Sequence, residues 1–401
     1  MAGGPHVFLV AGEESGDRLG AALIAAIRKR NPAARFSGVG GTHMADEGVA
    51  SLFPLGDLAI VGVVAIVASL PKILARIEAT AAAAAVAAKP DVLVIIDSPE
   101  FTHRVARKVR ARAPGIPIVD YVCPSVWAWR QGRARAMRAY VDHVLALLPF
   151  EPEAMARLGG PPTTFVGHPL GEQVALLRPN AQDAQRRAAA PPLLLVMPGS
   201  RSAEIRRLAP IFGEAVALVA ARAGALELVV PTVPRLAAAV RAATASWRVP
   251  AKVIVDPDEK HAAFRKARAA LAKSGTSTLE LALAGVPTVA AYKVPLVEEL
   301  IARAFIKVPS VILANLVLGE NVVPELLLRA CTPEALAAAL LPLLGDSPER
   351  ARQLTAFARL DGLMAIGQAS PSDKAAGVVL ACAAGLNHGA APAVVLSEPK
   401  A

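Results

Sequence analysis

The sequence predicts an α/β protein built from two doubly wound domains. Short runs of Val, Ile and Leu alternate with amphipathic stretches over most of the 401 residues, and several runs end in small polar residues. The alternation also breaks off near the middle of the chain and begins again. Apolar runs of this length suit strands of parallel sheets buried on both faces, with the amphipathic stretches as the covering helices. The length is sufficient for two separate cores.

In the first half, "HVFLVAG" (6–12) predicts a strand, followed by a glycine-containing turn and a helix from about Asp17 to Arg30. "PDVLVIID" (90–97), "IPIVDYV" (116–122) and "DHVLALLP" (142–149) predict further buried strands. The Ala-rich stretch 79–88 consists almost wholly of the best helix former and predicts helix. After "FVGHPL" (165–170) a polar segment intervenes, and "LLLVMPG", "LELVVP", "AKVIVD", "AALAKSG" and "PTVAAY" predict the strands of a second sheet. The expected organisation is a first domain over 1–170, a linker over 171–191, a second domain over 192–345, C-terminal helices over 346–385 and a loose tail over 386–401.

Hydrophobic residues make up 54% of the chain and aromatics 4%, which excludes a disordered protein and implies packing by small aliphatic side chains. The net charge of +10 favours anionic partners: nucleic acid, phosphates or an anionic membrane surface. Cys123, Cys331 and Cys382 lie far apart and suggest neither a disulfide framework nor a zinc site. The opening residues have no basic region ahead of an apolar one, so no secretory signal is expected. "LAIVGVVAIVASLPKIL" (58–74) passes from Leu58 to Leu70 without a charge, yet falls short of the ~20 residues of a membrane span, and Pro71 follows.

The candidate chemistry lies at the carboxyl ends of strands, where open α/β sheets bind ligands. In "VMPGSRSAEIRRL", Gly199 and Ser200 form a strand-to-helix turn, where free backbone N–H groups would make an anion site and Arg201 would add a bidentate charge. "LAKSGTSTLELALAG" repeats the arrangement with Ser274, Gly275, Thr276, Ser277 and Thr278, and Glu280 just inside the helix could accept two ribose hydroxyls. Two such turns in one domain favour nucleotide binding over plain helix capping. "VIIDSPEF" places Asp97 before a helix-opening proline, as a general base or as a carboxylate that only complements the helix dipole. "AGEESGD" offers Glu13, Glu14, Ser15 and Asp17, without the spacing of a dinucleotide fingerprint. "SVWAWRQGRARAMR" carries Trp129 and Arg130, Arg133, Arg135 and Arg138, as a solvated basic helix or a phosphate contact. His168 reads first as a satisfied buried histidine. The "DPD" at 256–258 reads better as a turn than as a metal site, because Pro257 divides it.

These segments together resemble lipid-A-disaccharide synthase, a GT-B glycosyltransferase of family 19. "AGEESGDRLGAALI", "GVGGTHM", "VIIDSPEF", "YVCPSVWAWRQGR", "HVLALLPFE", "FVGHPL", "MPGSRSAEI", "KSGTSTLELALAGVP" and "ANLVLGENVVPELL" occur in the family's order, from about residue 6 to 385. The resemblance implies two Rossmann-like domains facing across a cleft, with the C-terminal helix packing back on the first. It implies transfer of a diacylated glucosamine from UDP-2,3-diacylglucosamine to the 6-hydroxyl of 2,3-diacylglucosamine 1-phosphate. The anomeric carbon would invert and UDP would leave, without metal or other cofactor. Asp97 matches the family's base and Arg201 its donor cation, while His168 and Asn315 match positions near the donor. Ser15, Asp17, Glu100, Trp129 and Arg130 become acceptor or cleft residues. Ser98, Glu100 and Cys123 stand where the family commonly has Ala, Asp and Ser, and Glu100 lies one helical turn from Asp97 as a competing carboxylate.

Acylated substrates give the 58–74 run a further reading. Val63, Val64, Val67, Leu70 and Leu74 could dip into one leaflet while Lys72 and Arg76 meet anionic headgroups, or a strand-like part from Leu58 to Val64 could belong to the core. A peripheral enzyme on the cytoplasmic face of the inner membrane is expected, with a homodimer left open. The rival readings are another GT-B enzyme of UDP-N-acetylhexosamine, such as the murein glucosaminyltransferase or a 2-epimerase, and, more remotely, a basic nucleic-acid-binding protein. No nucleic-acid partner is expected, because the basic residues are dispersed and match no RNA- or DNA-binding motif.

Overall fold

In a computed structural model of the chain, residues 4–58, 63–294 and 310–385 are described, with side chains at all of these except 63–69. The chain divides into two compact units, Met1–Gly167 with Ile366 onward, and His168–Ala365.

The first unit follows a strand–helix alternation: β1 (His6–Ala11), α1 (Glu14–Arg30), β2 (Arg35–Val39), α2 (Thr42–Asp46), α3 (Val63–Ala82), β3 (Val92–Ile96), α4 (Pro99–Arg112), β4 (Ile118–Tyr121), α5 (Gly132–Met137), β5 (His143–Ala146), α6 (Glu151–Arg157) and β6 (Thr163–Phe165). Its sheet is parallel throughout, in the order β2-β1-β3-β4-β5-β6. Val92 to Ile96 show no solvent exposure at any position, the burial expected of a central strand covered on both faces.

The second unit holds α7 (Leu170–Leu177), α8 (Ala181–Ala188), β7 (Leu193–Met197), α9 (Ser202–Ala223), β8 (Glu227–Pro231), α10 (Ala237–Thr244), β9 (Ala251–Ile254), α11 (Pro257–Lys266), β10 (Ala269–Lys273), α12 (Thr276–Leu283), β11 (Thr288–Tyr292), α13 (Leu313–Leu318), β12 (Glu325–Leu327), α14 (Pro333–Leu344) and α15 (Pro348–Leu363). Its parallel sheet runs β12-β11-β10-β7-β8-β9. The chain then returns to the first unit as α16 (Pro371–Ala383), whose Ala375, Ala376 and Val379 join the core formed with Val7 and Leu9 of β1. The last three helices begin alike. Thr332, Ser347 and Ser370 each accept a hydrogen bond from the third backbone N–H of the helix, with proline at its first position.

Three expectations are corrected. Residues 171–191 are mostly helical, because α7 and α8 pack on α11 and so belong to the second unit. Val63 and Val64, expected in a strand-like part from Leu58, are helical: α3 begins at Val63 and carries Pro71 inside it, while residues 59–62 lie outside the described residues. The basic segment 125–138 is helical only over α5. The tail 386–401 lies outside the described residues.

Candidate active site

Each sheet order reverses direction at one place, and both sites lie there. In the first sheet β1 separates β2 from β3, which opens a crevice at the carboxyl ends of β1 and β3. Asp97 follows β3 directly. Its backbone N–H donates to Tyr121 O at 3.0 Å, which anchors it to the neighbouring β4. Its carboxylate accepts from the Ser98 N–H at 2.7 Å and from Ser15 Oγ at 3.3 Å, so the turns after β1 and β3 meet at one carboxylate. Gly12 permits this approach: a Cβ there would lie 2.4 Å from the Cβ of Ser98.

Asp97 lines a cavity of about 230 Å³ with His103, Asp120, Val122, Cys123, Trp129 and Arg133, among others. Backbone strain gathers around it. Six non-glycine residues have positive φ among those described, and four of them, Asp97 (53°), Ser98 (47°), Val122 (90°) and Arg130 (53°), line or flank this cavity. For β-branched Val122 the conformation is a genuine outlier, and strain held in this way is typical of functional positions. Below Asp97, His103 Nε2 faces Asp120 Oδ2, and His103 Nδ1 is 3.1 Å from the hydroxyl of Tyr140. Burial raises the Asp120 pKa; His103 opposes that shift and Asp97 adds to it. Burial likewise pushes the Cys123 thiol far above its ordinary range, so the group is an inert wall.

The other expected acceptor residues separate. Glu100 is exposed, pairs with Arg133 at 3.2 Å, and does not line the cavity. Asp17 is buried and accepts from the backbone N–H groups of Gly41, His43 and Met44, so its carboxylate is taken up in bracing the start of α2. Trp129 lines the cavity, and Arg130 stacks its guanidinium 4.6 Å from the Trp129 ring.

In the second sheet the reversal falls between β7 and β10. A cavity of about 350 Å³ lies at their carboxyl ends, lined by Gly199, Ser200, Arg201, Thr232, Lys260, Lys273, Gly275, Thr276 and Ser277, with a few further residues. The two expected turns therefore come together. The first is not an open anion site, however. Glu204 Oε2 accepts the Ser200 N–H at 3.0 Å and the Arg201 N–H at 3.2 Å, so the backbone donors expected to be free are occupied by the protein's own carboxylate. Gly199, at φ 135°, makes room for this, since a Cβ there would lie 2.5 Å from Glu204 Oε2.

Ser274 and Thr278 are buried, bond to the backbone at Val311 and Gly275, and do not line the cavity. Glu280 is also buried and pairs at 2.6 Å with Lys260, which does line it. Asn315 uses its amide on Val322, Val323 and Glu325 and so braces the loop before β12. His168 Nδ1 accepts the Leu170 N–H at 3.1 Å, and burial lowers its pKa to about 4, which keeps it neutral. Asp256 accepts from the N–H groups of Asp258 and Glu259, the cap of α11, which accounts for "DPD" without a metal.

Among the candidate membrane residues, Leu70 and Leu74 are exposed on α3, while Lys72 and Arg76 both pair with Asp57 at 2.7 Å. The side chains of Val63, Val64 and Val67 lie outside the described residues. Among the described residues no helix is long and apolar enough to cross a membrane.

A family model described as lipid-A-disaccharide synthetase matches residues 7–370. The chain belongs to that family. It is 61% identical over 376 residues to a lipid-A-disaccharide synthase of Nitrobacter hamburgensis, covering 94% of this chain and 95% of that one. It is 59% identical over 389 residues to that of Rhodopseudomonas palustris, covering 97% of each. Among solved structures it is similar to UDP-GlcNAc 2-epimerase from Neisseria meningitidis, with TM-score 0.61, 14% identity, and 94% and 99% coverage. It is also similar to Acinetobacter baumannii MurG, with TM-score 0.57, 15% identity, and the same coverage. At such identities these two likenesses speak for the fold alone: two Rossmann-like domains of the GT-B class.

Proposed function

We propose that the chain transfers a 2,3-diacylglucosaminyl unit from UDP to the 6-hydroxyl of 2,3-diacylglucosamine 1-phosphate, inverting the anomeric carbon and releasing UDP. Family membership supports the reaction. The observation that carries the chemistry is Asp97, a carboxylate on strained backbone at the reversal point of the first sheet, facing a cavity.

Asp97 takes the proton of the acceptor hydroxyl as its oxygen bonds to the anomeric carbon. The bond from that carbon to the UDP oxygen breaks, and its electron pair leaves with the β-phosphate. Arg201 and the first turn of α12, at Thr276 and Ser277, line one cavity of the second unit and would neutralise that charge. Glu280 and His168 serve the nucleotide side through position more than through direct charge, one held by Lys260 and one neutral. Leu70 and Leu74 favour a peripheral attachment to the cytoplasmic face of the inner membrane, where both acylated substrates would reside.

Purified protein incubated with both diacylated substrates should yield the disaccharide 1-phosphate and stoichiometric UDP. Unacylated UDP-N-acetylglucosamine should be a poor donor. Efficient use of the unacylated donor, or its epimerisation, would move the assignment to another GT-B enzyme.

A further inference from the structure

Three cations line the cavity of the second unit: Arg201, Lys260 and Lys273. Lys260 is held by the buried Glu280. Lys273, the last residue of β10, is placed differently. Its Nζ is 3.1 Å from Glu204 Oε1 and 5.4 Å from the centroid of the Tyr292 ring. A Cβ built on Gly275 would lie 3.4 Å from that nitrogen, so the ammonium sits over the entry to α12.

Glu204 is the common partner of Lys273 and Arg201. One oxygen holds the N–H groups of Ser200 and Arg201, and the other faces Lys273 and, at 3.6 Å, the Arg201 guanidinium. Burial would raise its pKa, but Lys273 leads the charges and hydrogen bonds that hold the carboxylate below its ordinary range. Two backbone donors, an ammonium and a guanidinium thus converge on one anion, and the residues that supply them line a cavity lined also by the start of a second helix. This is the donor set of a phosphate site, with a side chain of the protein in it.

We propose that Lys273 binds the β-phosphate of the nucleotide, and that it exchanges Glu204 for that phosphate when the donor enters. The proposal rests on the donor-site reading above. Glu204 keeps the ammonium in place before binding and keeps its backbone hydrogen bonds as the cap of α9. The exchange matches one anionic partner with another, so Lys273 is never left unpaired in a half-buried position.

The test uses the full chain and two probes, UDP by titration calorimetry and uridine by ligand-observed NMR. Lys273→Met should weaken UDP about 10- to 100-fold, as expected for one charge-assisted contact, and leave uridine unchanged. Lys273→Arg should recover most of the loss. Glu204→Gln, which can still accept a backbone N–H, should tighten UDP, because the competing anion is gone. UDP binding by Lys273→Met as tight as in the unaltered chain would overturn the proposal. So would an equal loss of uridine, which would mark a structural role, or weaker UDP binding in Glu204→Gln. Failure of the unaltered chain to bind UDP would instead remove the donor-site reading itself, and is separately visible.

Discussion

His103 Nε2 lies 3.0 Å from Asp120 Oδ2, and both side chains are almost completely buried at the wall of the cavity that holds Asp97. The two come from α4 and β4, so their meeting is a product of the fold. Removing one member of a buried pair costs more than the pair itself contributes, because the other is left buried without its partner. His103→Leu should therefore lower stability by about 3–5 kcal/mol in chemical denaturation. Removing both partners, as His103→Leu with Asp120→Leu, should recover a good part of that loss. Equal destabilisation in the single and double variants would show that the two groups are not coupled.

Asp97 and Glu100 were both open as the base from the sequence, and the geometry separates them. Asp97→Asn retains the size and the strained turn but cannot take a proton. Its turnover should fall by about 10²–10⁴-fold, the usual contribution of a general base, with UDP affinity and melting temperature unchanged. Glu100→Gln should stay within a few-fold of normal, because Glu100 points to Arg133 and solvent. A rate ordering in the opposite sense would give the role to Glu100.

What the sequence made legible was whatever is local. Strand ends, glycine turns and Thr/Ser–Pro helix starts are set by a few consecutive residues, and such local signals place Asp97, Arg201 and Gly275–Ser277 at strand-to-helix turns, where they line cavities. What it hid depends on distance in space. Lys273 reads as the end of a strand, and only folding brings it to Glu204, which is 69 residues away in the chain by the difference of their numbers. Asp17 looked like a polar turn residue, but its three backbone donors come from Gly41 and the first turn of α2. Val63 and Val64 looked strand-like because β-branched residues favour strands, but they open α3, a helix that carries Pro71 with its ring exposed.

Glu151 supplies a pH test that is independent of catalysis. It is buried at the start of α6, accepts from Trp127 Nε1 at 3.2 Å and from the Leu148 N–H at 2.9 Å, and burial raises its pKa from 4.5 to about 7. Between those values the native state binds more protons than the unfolded state. The contribution is therefore fully present below pH 4.5 and is lost as pH rises to about 7. At 1.36 kcal/mol per unit this amounts to about 3 kcal/mol. The stability of Glu151→Gln relative to the unaltered chain should rise by about that much from pH 4.5 to pH 8, measured by urea denaturation. Parallel stability curves would mean that Glu151 titrates in the ordinary carboxylate range.

Membrane attachment can be tested on two leucines without disturbing the core. Leu70 and Leu74 are one turn apart on α3, at 43% and 46% exposure, whereas Ile77 on the same helix is fully packed. Lys72 and Arg76 share the one carboxylate of Asp57, which leaves a single net positive charge, so apolar area should outweigh charge in attachment by this face. Burying a leucine side chain is worth about 1.5–3 kcal/mol, so Leu70→Ser with Leu74→Ser should weaken co-sedimentation with phosphatidylglycerol vesicles at least about 10-fold. The melting temperature should hold, since neither side chain contributes to the core. Raising the salt from 0.1 to 0.5 M should matter less than the double substitution. Binding that survives the leucine changes but falls steeply with salt would place the contact on one of the dispersed basic surfaces instead.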